Sequence, residues 1–187
     1  MIRLIYTFVG LEITSHKLKT DNNQNNMIHK KLETEISILQ FEELNASQQS
    51  LIEQAKMQVQ NAYAPYSKFQ VGAAVKLENG EIFTGNNQEN AAYPSGLCAE
   101  RVALFYANAQ FPTTAVNTIA IAAYTNGEFL EDPISPCGGC RQVLLESEIR
   151  FDQNIVLLLY GTKHIYMLKN TKQLLPLSFD RSALELL

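Results

Sequence analysis

The sequence predicts an α/β fold, a three-layer α/β/α sandwich in which a five-stranded mixed sheet lies between helices on both faces. Strand, helix, strand, helix and strand follow one another across residues 81–160, an order that builds crossover connections on a sheet. Residues 118–124 and 155–160 are nearly continuous apolar runs, which are typical of strands buried on both faces. Hairpins before and after this region add antiparallel strands and make the sheet mixed.

The composition is that of one globular domain with an acidic balance. The chain has 187 residues, of which 46% are hydrophobic, and a formal net charge of −4. A pI near 5.4 disfavours a nucleic-acid partner, because proteins that bind the phosphate backbone usually carry a basic patch. No apolar run reaches the length of a membrane span. The sequence therefore predicts neither a nucleic-acid nor a membrane partner.

Residues 1–26 form a predicted N-terminal extension. They end in a polar tract, Asp21-Asn22-Asn23-Gln24-Asn25-Asn26, which buries too little apolar area to offset the entropy of ordering. Met27 follows directly and is the expected natural start, with a real but disordered tail as the alternative. The functional domain is expected at residues 27–187.

The first elements of that domain are a short strand and a helix. Residues 35–41 alternate in part and predict an edge strand or arm. A helix begins after Asn45 or Ser47, since both residue types are preferred N-caps, and it ends at residues 65–67. Its buried stripe is Leu51, Ala55, Val59 and Ala62.

A β-hairpin and an alternation of helices and strands follow. Apolar residues recur at every second position from Phe69 to Leu77, which predicts a strand. Asn79-Gly80 is the dipeptide preferred in two-residue hairpin turns, and residues 81–86 return as the second strand. Beyond the two buried strands, the predicted elements are helices at 98–108 and 138–147, an edge strand at 164–168 and a helical turn at 171–175.

All three cysteines lie in two short motifs, Cys98-Ala99-Glu100 and Pro136-Cys137-Gly138-Gly139-Cys140. This spacing fits a metal site better than a disulfide framework. Three thiolates hold Zn²⁺ and leave a fourth position open for water, as catalytic zinc sites do. Glu100 lies on the first turn of its helix, where it is beside the metal without binding it and can act as general base and acid.

The two cysteine motifs also predict the electrostatics and the location of the site. Both begin helices, whose positive N-terminal ends offset part of the negative charge of three thiolates. Working thiolates need reducing conditions, so a cytoplasmic location is expected.

Further segments carry a family resemblance. Residues 87–93, Asn-Gln-Glu-Asn-Ala-Ala-Tyr, precede the first cysteine, and Ala-Pro-Tyr-Ser-Lys-Phe and Val-Gly-Ala-Ala occupy residues 64–69 and 71–74. With the two cysteine motifs, which match the zinc signature of nucleobase deaminases, they closely resemble the small, homotetrameric, zinc-dependent cytidine deaminases. These form the three-cysteine type of the cytidine and deoxycytidylate deaminase family. The resemblance covers residues 47–180 and implies a cytidine deaminase-like fold.

The resemblance implies hydrolytic deamination of cytidine and deoxycytidine to uridine and deoxyuridine with release of ammonia, a step of pyrimidine salvage. It implies one Zn²⁺ per chain, held by Cys98, Cys137 and Cys140. Glu100 is expected to take a proton from the water that attacks C4 and to deliver protons to N3 and the leaving ammonia. Arg101 is expected to hydrogen-bond the ligand sulfurs; the alternative is a surface residue of the helix.

The resemblance also implies the substrate contacts. Asn87 and Glu89 are expected to bind the ribose hydroxyls, with loop capping and a solvated carboxylate as the alternatives. Phe69 is expected against the pyrimidine ring, and its alternative is plain core. The other expected contacts from the same chain are Asn90, Tyr93 and the backbone of Ala99.

The C-terminal segment implies an assembly. Leu174-Leu175-Pro176-Leu177-Ser178-Phe179 matches the L-L-P-x-x-F segment of the resembling deaminases, in which the phenylalanine covers the base in a neighbouring subunit. Phe179 is therefore expected to bind substrate in trans, in a homotetramer with shared active sites. The alternative is that Phe179 anchors the tail on its own core.

Two other functions stay open at this point. A deaminase of another small heterocycle, such as a blasticidin-type nucleoside, would use the same scaffold, but the Asn87 and Glu89 pair disfavours it. A zinc-stabilised binding module would be supported by a fourth Cys or His ligand, and three ligands plus Glu100 disfavour it. Several deaminases of tRNA adenosine or deoxycytidylate carry histidine where this chain has Cys98. Together with Asn87 and Glu89, this favours a free nucleoside over a polynucleotide or a nucleotide as substrate.

Overall fold

The computed structural model describes residues 28–184, so the predicted extension at residues 1–26 lies outside the described residues. Its helices are α1 (Ala46–Gln58), α2 (Ala99–Gln110) and α3 (Gly138–Phe151). Its strands are β1 (Ser37–Leu39), β2 (Gln70–Leu77), β3 (Ile82–Asn86), β4 (Val116–Thr125), β5 (Glu128–Phe129), β6 (Val156–Tyr160) and β7 (Ile165–Leu168). Within residues 28–184, no helix combines the length and the apolar character needed to cross a membrane.

The strands form one mixed sheet in the order β1-β7-β6-β4-β2-β3, with β5 beside β4. Strands β4 and β6 are parallel and are connected through α3, while the other pairs are antiparallel. The predicted mixed sheet with a crossover helix is therefore confirmed. The predicted count of five strands is too low, because the described sheet has seven.

Two short strands account for the difference. Strand β1 pairs with β7, so the segment predicted as an edge strand or arm is an edge strand of the same sheet. Strand β5 pairs with the end of β4. The turn between them consists of Asn126 and Gly127, which have φ angles of 54° and 91°. Two left-handed residues in succession make a type I′ turn, for which Asn-Gly is the preferred pair. A strand of two residues carries too little hydrophobic pattern to be predicted from periodicity.

The hairpin between β2 and β3 uses a different turn from the predicted one. Of Asn79 and Gly80, only Gly80 is left-handed, with φ 90°. The Leu77 N–H donates to Glu81 O at 2.9 Å, and the Gly80 N–H donates to Leu77 O at 3.0 Å. These bonds define a three-residue loop, in which a type I turn precedes a left-handed residue. The prediction of a hairpin is right, and the two-residue turn is wrong.

The helices cover both faces of the sheet, as predicted. Helix α1 packs on one face, and α2 and α3 pack on the other. The first face buries Leu51, Ile52 and Ala55 of α1 against Ala74, Ala120 and Leu158. The second face buries Ala103, Leu104 and Leu144 against Val75, Ile119 and Leu157. The result is the expected three-layer sandwich.

Helix α1 begins with a reciprocal cap. Asn45 Oδ1 accepts from the Gln48 N–H at 3.0 Å, and Gln48 Oε1 accepts from the Asn45 N–H at 3.1 Å. Asn45 rather than Ser47 is therefore the cap. The α-helix ends at Gln58 and continues as a 3-10 turn to Asn61, which is earlier than the predicted end at residues 65–67.

Gly85 on β3 lets α2 lie close to the sheet. A Cβ at this residue would be 2.5 Å from Ala103 N and 2.8 Å from Ala99 O. Both are backbone atoms of α2, so only a residue without a side chain fits there. This close approach fixes the beginning of α2, where the first cysteine motif lies.

Candidate metal and substrate site

Two helix starts bring the three cysteines together. Cys98 is the N-cap of α2, Cys137 is the N-cap of α3, and Cys140 lies in the first turn of α3. Their Sγ atoms all lie within 4.8 Å of one another, and the Cys98 and Cys137 sulfurs are 3.8 Å apart. Tetrahedral Zn–S bonds of about 2.3 Å place two sulfurs about 3.8 Å apart. The three thiols therefore fit one Zn²⁺.

The Cys98 and Cys140 thiols share a proton unequally. A hydrogen bond from the Cys140 thiol lowers the pKa of Cys98 to about 5. Burial of Cys98 acts in the opposite direction but is outweighed, and Arg101 lowers the pKa further. The same hydrogen bond raises the pKa of Cys140, because Cys140 holds the shared proton. Metal binding releases such protons, since the ligands bind as thiolates.

Arg101 contacts the sulfur of Cys98. Its Nη2 donates to Cys98 Sγ at 3.8 Å and to Gly96 O at 3.4 Å. Desolvation lowers the pKa of Arg101, but the hydrogen bond to Cys98 and the charges of the thiols raise it by more. The guanidinium thus joins the loop before α2 to the cysteine cluster.

Glu100 is a buried carboxyl beside the cysteines. Only 6% of the surface of Glu100 is exposed to solvent. Burial is the main cause that raises the pKa of Glu100, and the negative charge of Cys98 adds to it, while hydrogen bonds that include the Cys140 thiol act in the opposite direction. A carboxyl in this setting can hold a proton close to the metal ligands.

The cysteines and Glu100 open onto a cavity of about 480 Å³, within the usual range for small-molecule sites. The cavity brings together every site residue predicted from the same chain except Cys140, which is fully buried. These lining residues are Phe69, Asn87, Glu89, Asn90, Tyr93, Cys98, Ala99, Glu100, Arg101 and Cys137.

Asn87 is tied to the backbone of the neighbouring strand. Its Oδ1 accepts from the Val71 N–H at 2.8 Å, and its Nδ2 donates to Phe69 O at 2.9 Å. The capping alternative considered for Asn87 is therefore present in the structure. One amide hydrogen and one acceptor lone pair remain for a ligand.

Glu89 is held by the turn before β2. Its Oε2 accepts from the Tyr66 N–H at 2.9 Å and from the Ser67 N–H at 3.3 Å. The carboxylate is thus anchored through one oxygen on the wall of the cavity.

Several lining residues were not predicted. They are Ser67, Val71, Gln88, Gly96, Leu97, Ile134 and Ser135. Ile134 and Ser135 form the wall just before Cys137, where Arg141 donates to Ser135 Oγ at 3.0 Å and to Pro136 O at 2.8 Å. Their position next to the second cysteine motif is the signal that could have identified them.

Phe179 does not line this cavity. It lies on the C-terminal segment, is 62% exposed, and its carbonyl accepts from Gln142 Nε2 at 2.8 Å. The cavity of a single chain is therefore formed without Phe179.

Residues 45–156 match the family model described as the cytidine and deoxycytidylate deaminase zinc-binding region. The match spans more than half of the chain and includes both cysteine motifs. The chain belongs to this deaminase family. As a member, it is a hydrolytic deaminase that uses zinc, which is consistent with the geometry of the three thiols.

Individual relatives agree with the family match. The chain is 45% identical over 98 residues to a cytidine deaminase of Sporosarcina psychrophila, which is 52% of this chain and 68% of that protein. It is 38% identical over 97 residues to a cytidine deaminase of Mycobacterium tuberculosis, covering 50% of this chain and 68% of that one.

A solved structure agrees with the fold. The crystal structure of cytidine deaminase from Burkholderia pseudomallei superposes with a TM-score of 0.59 at 39% identity, covering 70% of this chain and 97% of that chain. The predicted cytidine deaminase-like fold is confirmed.

Proposed function

We propose that this deaminase converts cytidine and deoxycytidine to uridine and deoxyuridine with release of ammonia, in pyrimidine salvage. One observation carries the proposal: a single cavity joins the three-thiol cluster, the buried Glu100 and the loop that bears Asn87 and Glu89. The cytidine deaminases similar to this chain support the choice of substrate.

The chemistry is assigned to Glu100. Zinc, when bound by Cys98, Cys137 and Cys140, supplies a Lewis acid that makes water a nucleophile near neutral pH. The Glu100 carboxylate accepts a proton from the attacking water and delivers it to N3 of the pyrimidine. Once the water oxygen has bonded to C4, the same carboxyl takes the second proton of that oxygen and gives it to the amino group. The C4–N bond then breaks, ammonia leaves and C4 becomes a carbonyl, so that one residue acts as base and then as acid. Its burial keeps bulk water away from these transfers.

Arg101 and the two helix starts balance the charge of the ligands. Three thiolates around a divalent ion carry a net negative charge, which weakens the pull of the ion on water. The N-terminal ends of α2 and α3 and the Arg101 guanidinium place positive charge beside the sulfurs. This arrangement supports a catalytic rather than a purely structural ion.

The remaining cavity residues are assigned to the nucleoside. Glu89 and the free amide hydrogen of Asn87 bind the ribose hydroxyls, and Phe69 lies against the pyrimidine ring. The other contacts are Asn90, Tyr93 and the backbone of Ala99. The support for this assignment is that all of them line the cavity that contains Glu100.

The proposal includes a homotetramer with Phe179 acting in trans, in the cytoplasm. Phe179 and Leu177 are 62% and 81% exposed, and Tyr93 at the cavity is 76% exposed. Exposed apolar side chains of this size favour contact with another chain. The cytoplasmic location is supported by the three unpaired thiols, which need reducing conditions.

The test is turnover by purified, zinc-replete protein, followed by the loss of absorbance on deamination. We expect turnover of cytidine and deoxycytidine and little of free cytosine, because the ribose contacts are part of binding. A panel of other amino-heterocycles, including blasticidin-type nucleosides, tests the alternative substrate. Preference for a member of that panel, or equal turnover of cytosine and cytidine, would contradict the proposal.

A further inference from the structure

Ser67 lies between two residues of the cavity that come from different parts of the chain. Its Oγ accepts from the Phe69 N–H at 3.0 Å. Its own backbone N–H donates to Glu89 Oε2 at 3.3 Å, beside the Tyr66 N–H at 2.9 Å. Hydrogen bonding at this turn, with Ser67 as the largest contributor, lowers the pKa of Glu89.

The turn around Ser67 has an unusual backbone that makes these contacts possible. Lys68 has φ 59°, a left-handed conformation that residues with a Cβ rarely adopt. The Lys68 N–H donates to Ala64 O at 3.1 Å, and Lys68 O accepts from Thr125 Oγ1 at 3.2 Å. Both the N–H and the carbonyl of Lys68 are therefore hydrogen-bonded. A conformation of this kind persists where the surrounding structure determines it, which often occurs at functional sites.

The backbone of the Glu89 loop is fixed independently of its carboxylate. The Glu89 N–H donates to Tyr63 O at 2.8 Å, and the Tyr63 N–H donates to Asn87 O at 3.0 Å. These bonds place the Cα of Glu89 but leave its side chain free to rotate. The orientation of the carboxylate therefore depends on the turn at residues 66–67.

We propose that Ser67 is a positioning residue that holds the Glu89 carboxylate toward the substrate and ties it to the backbone of Phe69. This inference rests on the proposed ribose contact of Glu89 and adds the residue that orients it. Ser67 is exposed, and its hydroxyl contributes no packing to the core. Its removal is therefore expected to change binding rather than folding.

The first measurement compares Ser67→Ala with the parent enzyme. We expect KM for cytidine to rise several-fold, up to about tenfold, because without the Oγ bond to the Phe69 N–H the turn no longer fixes the backbone N–H groups that hold Glu89. We expect kcat to stay within about twofold. The thermal midpoint should stay at the parent value. Ser67→Thr keeps the hydroxyl and should restore KM, and Ser50→Ala, on the exposed side of α1, is the matched control that should change nothing.

The second measurement is a double-mutant cycle with Glu89→Ala. If Ser67 acts through Glu89, Ser67→Ala should change KM by less than about twofold in the Glu89→Ala background. An equal rise of KM in both backgrounds, or a normal KM in Ser67→Ala alone, would overturn the inference while leaving the proposed function standing. A parent enzyme that fails to turn over cytidine, or a Glu89→Ala enzyme with parent KM, would overturn the proposed ribose contact and this inference with it.

Discussion

At the scale of single residues, Asn87 has two roles: it stabilises the fold, and it is proposed to contact the ribose. Both ends of its amide bind the backbone at Phe69 and Val71. We expect Asn87→Ala to lower the free energy of unfolding by about 1–3 kcal/mol, because two partly buried backbone groups lose their partner. The measurement is urea unfolding, made together with KM for cytidine.

A second variant separates the two ends of the amide. Asn87→Asp keeps an acceptor for the Val71 N–H but cannot donate to Phe69 O, so its stability should lie between that of the parent and that of Asn87→Ala. Parent stability in Asn87→Ala would contradict the structural task and leave Asn87 as a ligand-binding residue alone.

At the scale of elements, the end of α3 is a site where stability can be gained. Asp152 closes this helix with φ 50° and places a negative charge at its C-terminus. Glycine takes the left-handed conformation without the cost of a Cβ, and the helix dipole disfavours an anion there. We expect Asp152→Gly to raise the free energy of unfolding by about 1 kcal/mol, measured by urea unfolding.

Asp152→Asn is the control for the electrostatic part of that effect. It removes the charge and keeps a side chain that tolerates the left-handed conformation, so it should give a smaller gain than glycine. A glycine variant less stable than the parent would mean that the Asp152 side chain stabilises the end of the helix.

The elements also show what the sequence can and cannot predict. The three cysteines, Glu100 and the two helix starts follow from short motifs whose chemistry needs a fixed spacing, and the structure brings them together. The two Asn-Gly pairs, at residues 79–80 and 126–127, form different turns. Turn type depends on the register of the flanking strands, which the dipeptide does not encode.

Contacts between distant segments were the part that the sequence could not supply. Ser67 and Glu89 meet only because the turn before β2 folds over the loop after β3. Ser135 enters the cavity wall because Arg141 and the chain before Cys137 hold it there. Ser67 and Ser135 are ordinary residue types for a loop, so the sequence pattern does not predict which side chains they contact.

At the scale of the whole molecule, the proposed sharing of sites between subunits predicts complementation. Glu100→Gln chains and Phe179→Ala chains should each be impaired, because one lacks the acid and base and the other lacks stacking worth about 1–3 kcal/mol. After subunit exchange, some sites would combine an intact Glu100 with an intact Phe179 from a neighbour. Activity should then exceed that of either variant alone.

The control is each variant taken through the same exchange with itself, with the exchange itself followed by mass-tagged chains. No recovery despite complete exchange would contradict sharing, and a monomer that turns over cytidine normally would do the same. In that case Phe179 would serve its own chain, where Gln142 already holds its carbonyl.

The central claim is that Glu100 performs the proton transfers at a three-thiolate zinc site, and one variant tests it most directly. Glu100→Gln keeps the shape of the side chain, so the protein should fold and bind about one zinc per chain by metal analysis. Cytidine turnover measured on the same sample should fall by at least about 10²–10⁴, the range for a lost general acid or base. Turnover close to that of the parent, in a variant with full zinc occupancy, would contradict the account.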